Sequence, residues 1–214
     1  MPQPNHAPPV TSELPFKYVG GDPAIDFVNT VDWTSRGPEG DRLFSFERLL
    51  EWAEGAGILT RRAAAALHAK ARANPSHAIA AHRNAIATRL ILWKLFSGIA
   101  QGRPTAADRD DFNRVLARAL PHLRVTPAGR QHGGGRRLEL GWDQLGESLD
   151  SVLWPVLWAA ASLIVSEEID QIRICGSIDC GWMYVDRSRN GLRRWCQMET
   201  CGTLEKNRRR YQRS

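Results

Sequence analysis

Four cysteines near the C-terminal end are the residues of this sequence best suited to chemistry. They form two matching motifs, Cys175-Gly-Ser-Ile-Asp-Cys180-Gly and Cys196-Gln-Met-Glu-Thr-Cys201-Gly, and the 214-residue chain has no other cysteine. Two Cys-x4-Cys pairs separated by fifteen residues can surround one tetrahedral ion with four sulfur ligands. The glycine after each pair is expected to let the backbone turn its amides toward the thiolates. The motifs therefore predict one structural Zn²⁺ bound by Cys175, Cys180, Cys196 and Cys201.

Other interpretations of the cysteines remain open at this stage. Four thiolates can also hold an iron–sulfur cluster, and unrelated buried cysteines pack as small apolar side chains. Disulfides are a further alternative. The repetition of one six-residue pattern favours a metal over independent packing, and no histidine follows His132. We therefore expect an all-sulfur ligand set.

Positive charge is concentrated in the same part of the chain. Residues 173–214 contain ten Lys or Arg and four Asp or Glu, whereas residues 1–172 contain nineteen of each kind. The whole net charge of +6 thus belongs to the cysteine-rich end. Arginine forks onto phosphate, and phosphate contacts dominate nucleic-acid affinity. The predicted nucleic-acid-binding residues are Arg187, Arg189, Arg193, Arg194, Lys206, Arg208, Arg209 and Arg210.

Both ends of the sequence resemble known domains. The segment from residue 174 to 202, with its Arg193-Arg194-Trp195 motif, resembles the CGNR zinc finger. Residues 20–30, Gly-Gly-Asp-Pro-Ala-Ile-Asp-Phe-Val-Asn-Thr, are similar to the opening of the ABATE domain, its partner in bacterial proteins described as stress-induced transcription regulators. The resemblance implies that the four cysteines bind zinc, that the C-terminal end binds DNA, and that the larger domain senses or regulates.

One departure from the family signature affects the expected DNA contact. The family's Cys-Gly-Asn-Arg is here Cys201-Gly202-Thr203-Leu204, which keeps the zinc ligand but replaces a polar and a cationic residue where the last helix should begin. Thr203 can still cap a helix. Lys206 and the following arginines preserve the basic character of this helix.

The fold class predicted is α+β. It comprises a mainly helical N-terminal domain with a small strand and hairpin component, followed by a small C-terminal module of the zinc-ribbon or treble-clef type. Residues 1–15 contain five prolines and are expected to form a flexible tail. Residues 16–168 are assigned to the ABATE-like domain and residues 169–214 to the CGNR-like domain, with a hinge at 166–171.

Local patterns predict the elements of the larger domain. Strands are expected at 16–19 and 24–31, and caps at Ser45, Thr60 and Thr105 predict helices. A longest helix is expected at 76–102 and a final one at 145–168. Apolar residues spaced along the longest helix are expected to face the core; they are Ile79, Ile86, Leu90, Trp93 and Phe96.

Three further elements complete the prediction. Residues 123–126 and 138–142 should form a hairpin around a glycine-rich loop. Residues 182–185 and 192–195 should form a second hairpin between the cysteine motifs. A short helix should follow from residue 203 to 213.

The sequence favours a regulator over an enzyme. No catalytic motif stands out, and no apolar stretch is long enough to span a bilayer, so a cytoplasmic protein without a membrane partner is expected. Expected partners are DNA and a small-molecule effector of the N-terminal domain, and a homodimer is one state that the sequence allows. Two alternatives stay open: a zinc-stabilised module that binds an acidic protein or RNA, and a thiol-based redox switch.

Overall fold

Side-chain caps begin the central helices, as predicted. The computed structural model describes residues 14–127 and 138–212. Ser45 and Thr60 each accept a hydrogen bond from an amide in the first turn of their helix, and Thr105 forms a capping box with Asp108. Asn74 caps the longest helix, in which Pro75 occupies the first position. These contacts involve residues close in sequence, which is why the sequence revealed them.

Seven α-helices are present in the described ranges. They are α1 (Pro23–Val28), α2 (Phe46–Gly55), α3 (Arg61–Ala73), α4 (Pro75–Ala100), α5 (Ala106–Ala119), α6 (Trp154–Ile164) and α7 (Thr203–Tyr211). The mainly helical fold class is confirmed. None of the helices within the described residues is both long and apolar enough to cross a membrane.

The described strands pair as three small antiparallel sheets. They are β1 (Asp32–Thr34) with β2 (Gly37–Glu39), β3 (Leu123–Pro127) with β4 (Leu138–Trp142), and β5 (Ile172–Ile174) with β6 (Met183–Val185). The predicted hairpin of β3 and β4 is confirmed, with Val125 opposite Leu140. The glycine-rich loop between these strands and most of the predicted N-terminal tail lie outside the described residues.

Two predicted strands are wrong. Residues 16–19 form no strand, and the segment expected to be a strand at 24–31 contains α1 instead. Asp22 Oδ1 accepts a hydrogen bond from the Ala24 amide at 2.8 Å, and Pro23 occupies the first helical turn. An N-cap followed by proline starts a helix. Because nearly every residue of α1 is buried, its apolar run resembled a buried strand.

The core-facing side of α4 agrees in part with the predicted one. Phe96 is fully buried, and Ile86 and Trp93 pack against the core, as predicted. Ile79 and Leu90 are instead 54% and 42% exposed, and the buried side also carries Ala81, Ala85 and Leu92. α4 contacts α1, α2, α3 and α5, so small residues allow several neighbours to approach it closely. A central helix with neighbours on many sides lacks one simple apolar stripe.

The last helix of the larger domain is shorter than predicted. Only Trp154–Ile164 is α-helical, between short 3₁₀ segments at Leu149–Leu153 and Glu167–Gln171. Pro155 lies in the first turn of α6, where its missing amide hydrogen costs no helical hydrogen bond. The proline therefore marks the beginning of the helix rather than an interruption within it.

Candidate metal centre

The two cysteine pairs lie at different kinds of turn. Cys175 and Cys180 occupy the connection between β5 and β6, and the Cys175 amide donates to the Trp182 carbonyl at 2.8 Å. Cys201 lies in the π-helical segment Met198–Gly202, which leads directly into α7. The connection between β5 and β6 thus supplies two ligands, and the segment that leads into α7 supplies the other two.

The hairpin predicted between the motifs is wrong in its second strand. Met183–Val185 pairs with Ile172–Ile174, which precedes the first cysteine. The segment near residue 193 forms no strand. The Tyr184 hydroxyl donates to the Arg193 carbonyl at 2.6 Å, and Asp186 accepts from the Arg193 amide at 3.1 Å. The Gly176 amide also donates to the Arg194 carbonyl at 2.8 Å. Nothing in the local sequence indicates such contacts, so the pattern of residues 192–195 was interpreted as a strand.

The four sulfur atoms have the spacing of a tetrahedral metal site. All four Sγ atoms lie within 4.8 Å of one another, with Cys196 Sγ at 3.8 Å from Cys180 and 3.6 Å from Cys201. Zn–S bonds of about 2.3 Å in a tetrahedron place sulfur atoms about 3.8 Å apart. A disulfide would require about 2.05 Å. The residues therefore fit a single structural Zn²⁺.

A bound cation would favour the ionised form of this cluster. Hydrogen bonding with Cys180 lowers the pKa of the Cys175 thiol, and hydrogen bonding with Cys175 raises the pKa values of the Cys180 and Cys196 thiols. Sulfur atoms this close oppose one another's ionisation. A divalent cation removes that opposition and favours four thiolates.

The backbone after the first cysteine pair turns toward sulfur, as predicted, although the Gly181 amide itself has another partner. The Gly181 amide donates to the Trp33 carbonyl at 2.7 Å rather than to sulfur. A Cβ atom on Gly181 would lie 2.8 Å from Trp33 Cβ, and one on Gly202 would collide with Met198 Sδ. Close packing against Trp33 favours glycine at position 181. The amide of the next residue, Trp182, hydrogen-bonds to the Cys180 sulfur. The Cys196 amide likewise points to Cys175 Sγ at 3.3 Å.

A buried carboxylate connects α7 to the first cysteine pair. Glu205 Oε1 accepts hydrogen bonds from the Ile178 amide at 2.9 Å and the Ser177 hydroxyl at 3.2 Å. The hydrogen bond from Ile178 holds the pKa of Glu205 below its usual range. Glu205 is the buried residue of α7. The helix is thereby fixed relative to the metal centre, a contact that sequence reasoning missed.

Two of the arginines predicted to bind nucleic acid have partners inside the protein. Arg187 forms an ion pair with Glu168 and donates to the Gly21 carbonyl. Arg193 donates to the carbonyls of Val19, Trp195 and Cys196 and lies over the Tyr184 ring, with its Cζ 4.1 Å from the ring centroid. Both guanidinium groups help to position the cysteine-rich end against the N-terminal segment. Their binding to nucleic acid stays a prediction.

The other six predicted residues are exposed. They are Arg189, Arg194, Lys206, Arg208, Arg209 and Arg210. Four of them lie on α7, beyond the buried Glu205. Arg208 contacts Glu205 at 3.9 Å, and Arg194 lies over the Trp195 ring at 5.7 Å. The exposed basic residues of α7 are thus carried by a helix whose position depends on the metal centre.

Buried hydrogen bonds join the cysteine-rich end to α1 and the loop beside it. The Asn29 side chain donates to the Met183 carbonyl at 2.8 Å and accepts from the Met183 amide at 3.0 Å. Trp182 Nε1 donates to the Val31 carbonyl at 3.0 Å, and the Val185 amide donates to the Gly20 carbonyl at 2.8 Å. Asn29 thus pairs with both the N–H and the C=O of Met183, the two groups that a neighbouring strand would otherwise satisfy.

Asp26 provides a pH-dependent test of this junction. Its Oδ1 accepts from the Gly20 amide at 2.7 Å, and burial raises the pKa of its carboxyl group to about 6. A raised folded-state pKa means that the native state holds the proton more tightly than the unfolded state. Stability should therefore fall as pH rises from about 4 to about 6, with the full cost present above that range.

Asp26→Asn keeps the acceptor for Gly20 and removes the ionisation. The unfolding free energy of the variant should exceed that of wild type by an amount that grows with pH. This difference should reach about 3 kcal/mol near neutral pH. Urea denaturation of both zinc-loaded proteins between pH 5 and 7.5 measures the difference, in which the pH dependence common to the zinc site cancels. A difference that is constant with pH would contradict this assignment.

These features define a four-cysteine zinc finger attached to a mainly helical domain. Residues 21–167 match the ABATE family, described as "Putative stress-induced transcription regulator", and residues 171–214 match the CGNR zinc finger. The first match covers more than half of the chain, so the chain belongs to the ABATE family. Both predicted resemblances are confirmed, and neither family is one of enzymes. A search of curated proteins gives no match.

Proposed function

We propose that this protein regulates transcription by binding DNA through its zinc finger, while the N-terminal domain adjusts binding in response to a small-molecule effector. The observation that carries the proposal is the arrangement of α7. Its buried Glu205 connects it to the first cysteine pair, and its exposed side carries Lys206, Arg208 and Arg209. A rigid helix that presents several cations suits the phosphate backbone.

The departure from the family signature changes the start of α7 and removes one cation there, while the later basic residues of the helix remain. The Thr203 hydroxyl donates to the Met198 carbonyl at 3.1 Å and closes the turn before the helix. Leu204 is 55% exposed, beside a groove that Ile178 also lines. An exposed leucine where the family has arginine leaves one cation fewer for contact with phosphate. We therefore expect the later basic residues of α7 to supply most of the electrostatic affinity.

A charge-matched pair of variants tests the proposal. The α7 variant carries Lys206→Gln, Arg208→Gln and Arg209→Gln. The control carries Arg62→Gln, Arg83→Gln and Arg109→Gln, three exposed positions of the N-terminal domain. Both triple variants have the same net charge, so a difference between them reports position rather than total charge.

The measurement is affinity for a random-sequence duplex across a series of salt concentrations. Each phosphate contact contributes about one unit to the slope of log K against log salt, so the α7 variant should lose about three units. The control should keep the wild-type slope to within about one unit. Equal losses in the two variants, or no duplex binding by wild type at low salt, would contradict the proposal.

Competition separates the proposed function from its closest alternatives. Addition of zinc chelator should abolish duplex binding, because α7 is positioned through the cysteine pairs. A single-stranded RNA competitor that displaces the duplex at equimolar concentration would favour the RNA alternative. A partner protein retained after nuclease treatment would favour a protein-interaction module.

A further inference from the structure

A cavity lies within the N-terminal domain, away from the metal centre. It has a volume of about 210 Å³ and an apolar floor formed by Val115, Leu153, Trp154 and Leu157. All four side chains are buried in the protein. An open cleft of about 790 Å³ adjoins the cavity and shares its polar border with it. A small apolar chamber with a polar opening is the usual form of a site for a small molecule.

The shared border carries two opposite charges. Its residues are Asn84, Arg118, Ser148 and Asp150. Within the residues that the structure describes, Arg118 forms no ion pair or hydrogen bond, and the partner of Asp150 is the uncharged Asn84 amide at 2.8 Å. Elsewhere on the same helix, Arg114 pairs with Asp111 at 2.8 Å. The opening of the cavity thus holds a cation and an anion that do not neutralise each other.

The aromatic side of the cavity is held in a fixed position. The His122 ring stacks on Trp154 with 3.8 Å between the ring centroids and 6° between the planes. Thr88 is 1% exposed in the protein and lines the same chamber. Stacking restricts the indole to one orientation, so a ligand would meet a preorganised surface.

We propose that this cavity binds a small zwitterion, an α-amino acid with an apolar side chain. The ligand carboxylate would meet Arg118, its ammonium group would meet Asp150, and its side chain would occupy the apolar floor. A molecule with both charges at one end and an apolar group at the other matches the order of groups from opening to floor. This inference deepens the effector function proposed above, and its regulatory consequence rests on that function.

The position of the cavity provides a physical connection to the zinc finger. Trp154 and Leu157 belong to α6, which packs against α1. Immediately after α1, Asn29 forms its two hydrogen bonds with Met183 of the zinc finger. A ligand that moves α6 would therefore act on the helix whose end contacts β6.

Calorimetry on the full-length, zinc-loaded protein without DNA tests the binding directly. The probes are L-valine, L-leucine and L-phenylalanine, with isocaproate and isoamylamine as leucine analogues that lack one charge each. At least one amino acid should bind, and loss of either charge from the matching ligand should weaken binding at least tenfold. If none of the three amino acids binds at millimolar concentration, the proposal is wrong. Equal binding of an amino acid and its singly charged analogue would also overturn the zwitterion assignment.

Variants assign the binding to this cavity. Arg118→Gln and Asp150→Asn should each weaken binding at least tenfold, while Arg114→Gln, on the same helix but paired with Asp111, should leave it unchanged. Arg118 and Asp150 are both exposed, so these substitutions should preserve the fold. Wild-type affinity in both border variants would exclude this cavity as the site.

A second measurement separates this inference from the DNA-binding proposal. Duplex affinity is determined with and without the amino acid that binds. A change in duplex affinity that disappears in Arg118→Gln would support the effector role. Amino-acid binding with unchanged duplex affinity would overturn the effector role alone, and a protein that binds the amino acid but no duplex would contradict the DNA proposal alone.

Discussion

Replacing Cys196 with serine should abolish stoichiometric zinc binding and unfold the zinc finger. Cys196 is 3% exposed, and its Sγ lies close to those of Cys180 and Cys201. A serine hydroxyl is a poor ligand for Zn²⁺ beside three thiolates, because it remains protonated at neutral pH. Structural zinc contributes about 10–16 kcal/mol in zinc-finger peptides. A loss of that size exceeds what the few apolar residues of the finger can offset.

The effect should extend beyond the finger itself. Trp182 and Met183 form buried hydrogen bonds with the N-terminal domain, so unfolding around the metal centre exposes part of the shared core. Elemental analysis should give less than about 0.1 zinc per chain, and thermal unfolding should begin at least about 10 °C lower. Met198→Ser, an exposed position in the same motif, is the control and should retain zinc. A Cys196→Ser protein with one zinc per chain and the wild-type melting temperature would contradict the assignment.

Local signals explain what the sequence predicted well. The cysteine pairs, the caps at Ser45 and Thr105, and the hairpin of β3 and β4 each depend on residues close together in sequence. Such contacts follow from spacing and residue type alone. The metal centre was also predicted from spacing, because each cysteine pair is a local motif. The fold then only has to bring the two pairs together around one ion.

The contacts that sequence reasoning missed join distant parts of the chain. Asn29 and Met183 are separated by 154 positions, and nothing in the local sequence of either residue indicates the other. β6 looked like half of a hairpin with the residues that follow it, yet its partner precedes it. Asn29 also forms hydrogen bonds with Met183 of β6 that a neighbouring strand would otherwise form.

Charge counting has a similar limit for arginine. Arg187 and Arg209 are both exposed and indistinguishable by charge, yet Arg187 bonds to Glu168 and the Gly21 carbonyl, whereas Arg209 lies on α7. A guanidinium group has five donors, so it can serve as a structural cross-link as readily as a phosphate contact. Only the positions of its acceptors decide between these roles, and those positions depend on the fold.

Arg89→Met should cost about 3–5 kcal/mol of unfolding free energy, the second large effect that we expect. Arg89 is 4% exposed on α4, forms a bidentate ion pair with Asp41, and donates to Thr30 Oγ1 at 2.9 Å. Burial alone would raise the pKa of Asp41, but the hydrogen bonds and charge of Arg89 outweigh burial and bring it below the ordinary value. Methionine fills a similar volume and leaves the half-buried carboxylate without its cation.

Urea denaturation at neutral pH measures the cost, with Arg36→Gln as the control. Arg36 also forms an arginine–carboxylate pair, with Glu39, but its side chain is 77% exposed, so its loss should change stability by less than about 1 kcal/mol. Because the pKa of Asp41 is depressed in the folded state, the contribution of the pair should disappear as pH falls through that pKa, and the two proteins should converge in acid. A cost for Arg89→Met no larger than the control's would mean that the pair stabilises little.

The position of Arg89 also predicts where the damage appears. Thr30 follows Asn29, so losing the hydrogen bond from Arg89 should loosen the residue that bonds to Met183 of β6. Hydrogen exchange should therefore rise at the amides of Met183 and Val185 in Arg89→Met, although these residues belong to the zinc finger, while zinc content stays at one per chain. Unchanged exchange in β6 would show that α4 does not stabilise the junction between the two parts of the chain. Faster exchange there would show that the buried Arg89–Asp41 ion pair of the helical domain helps to position the zinc finger.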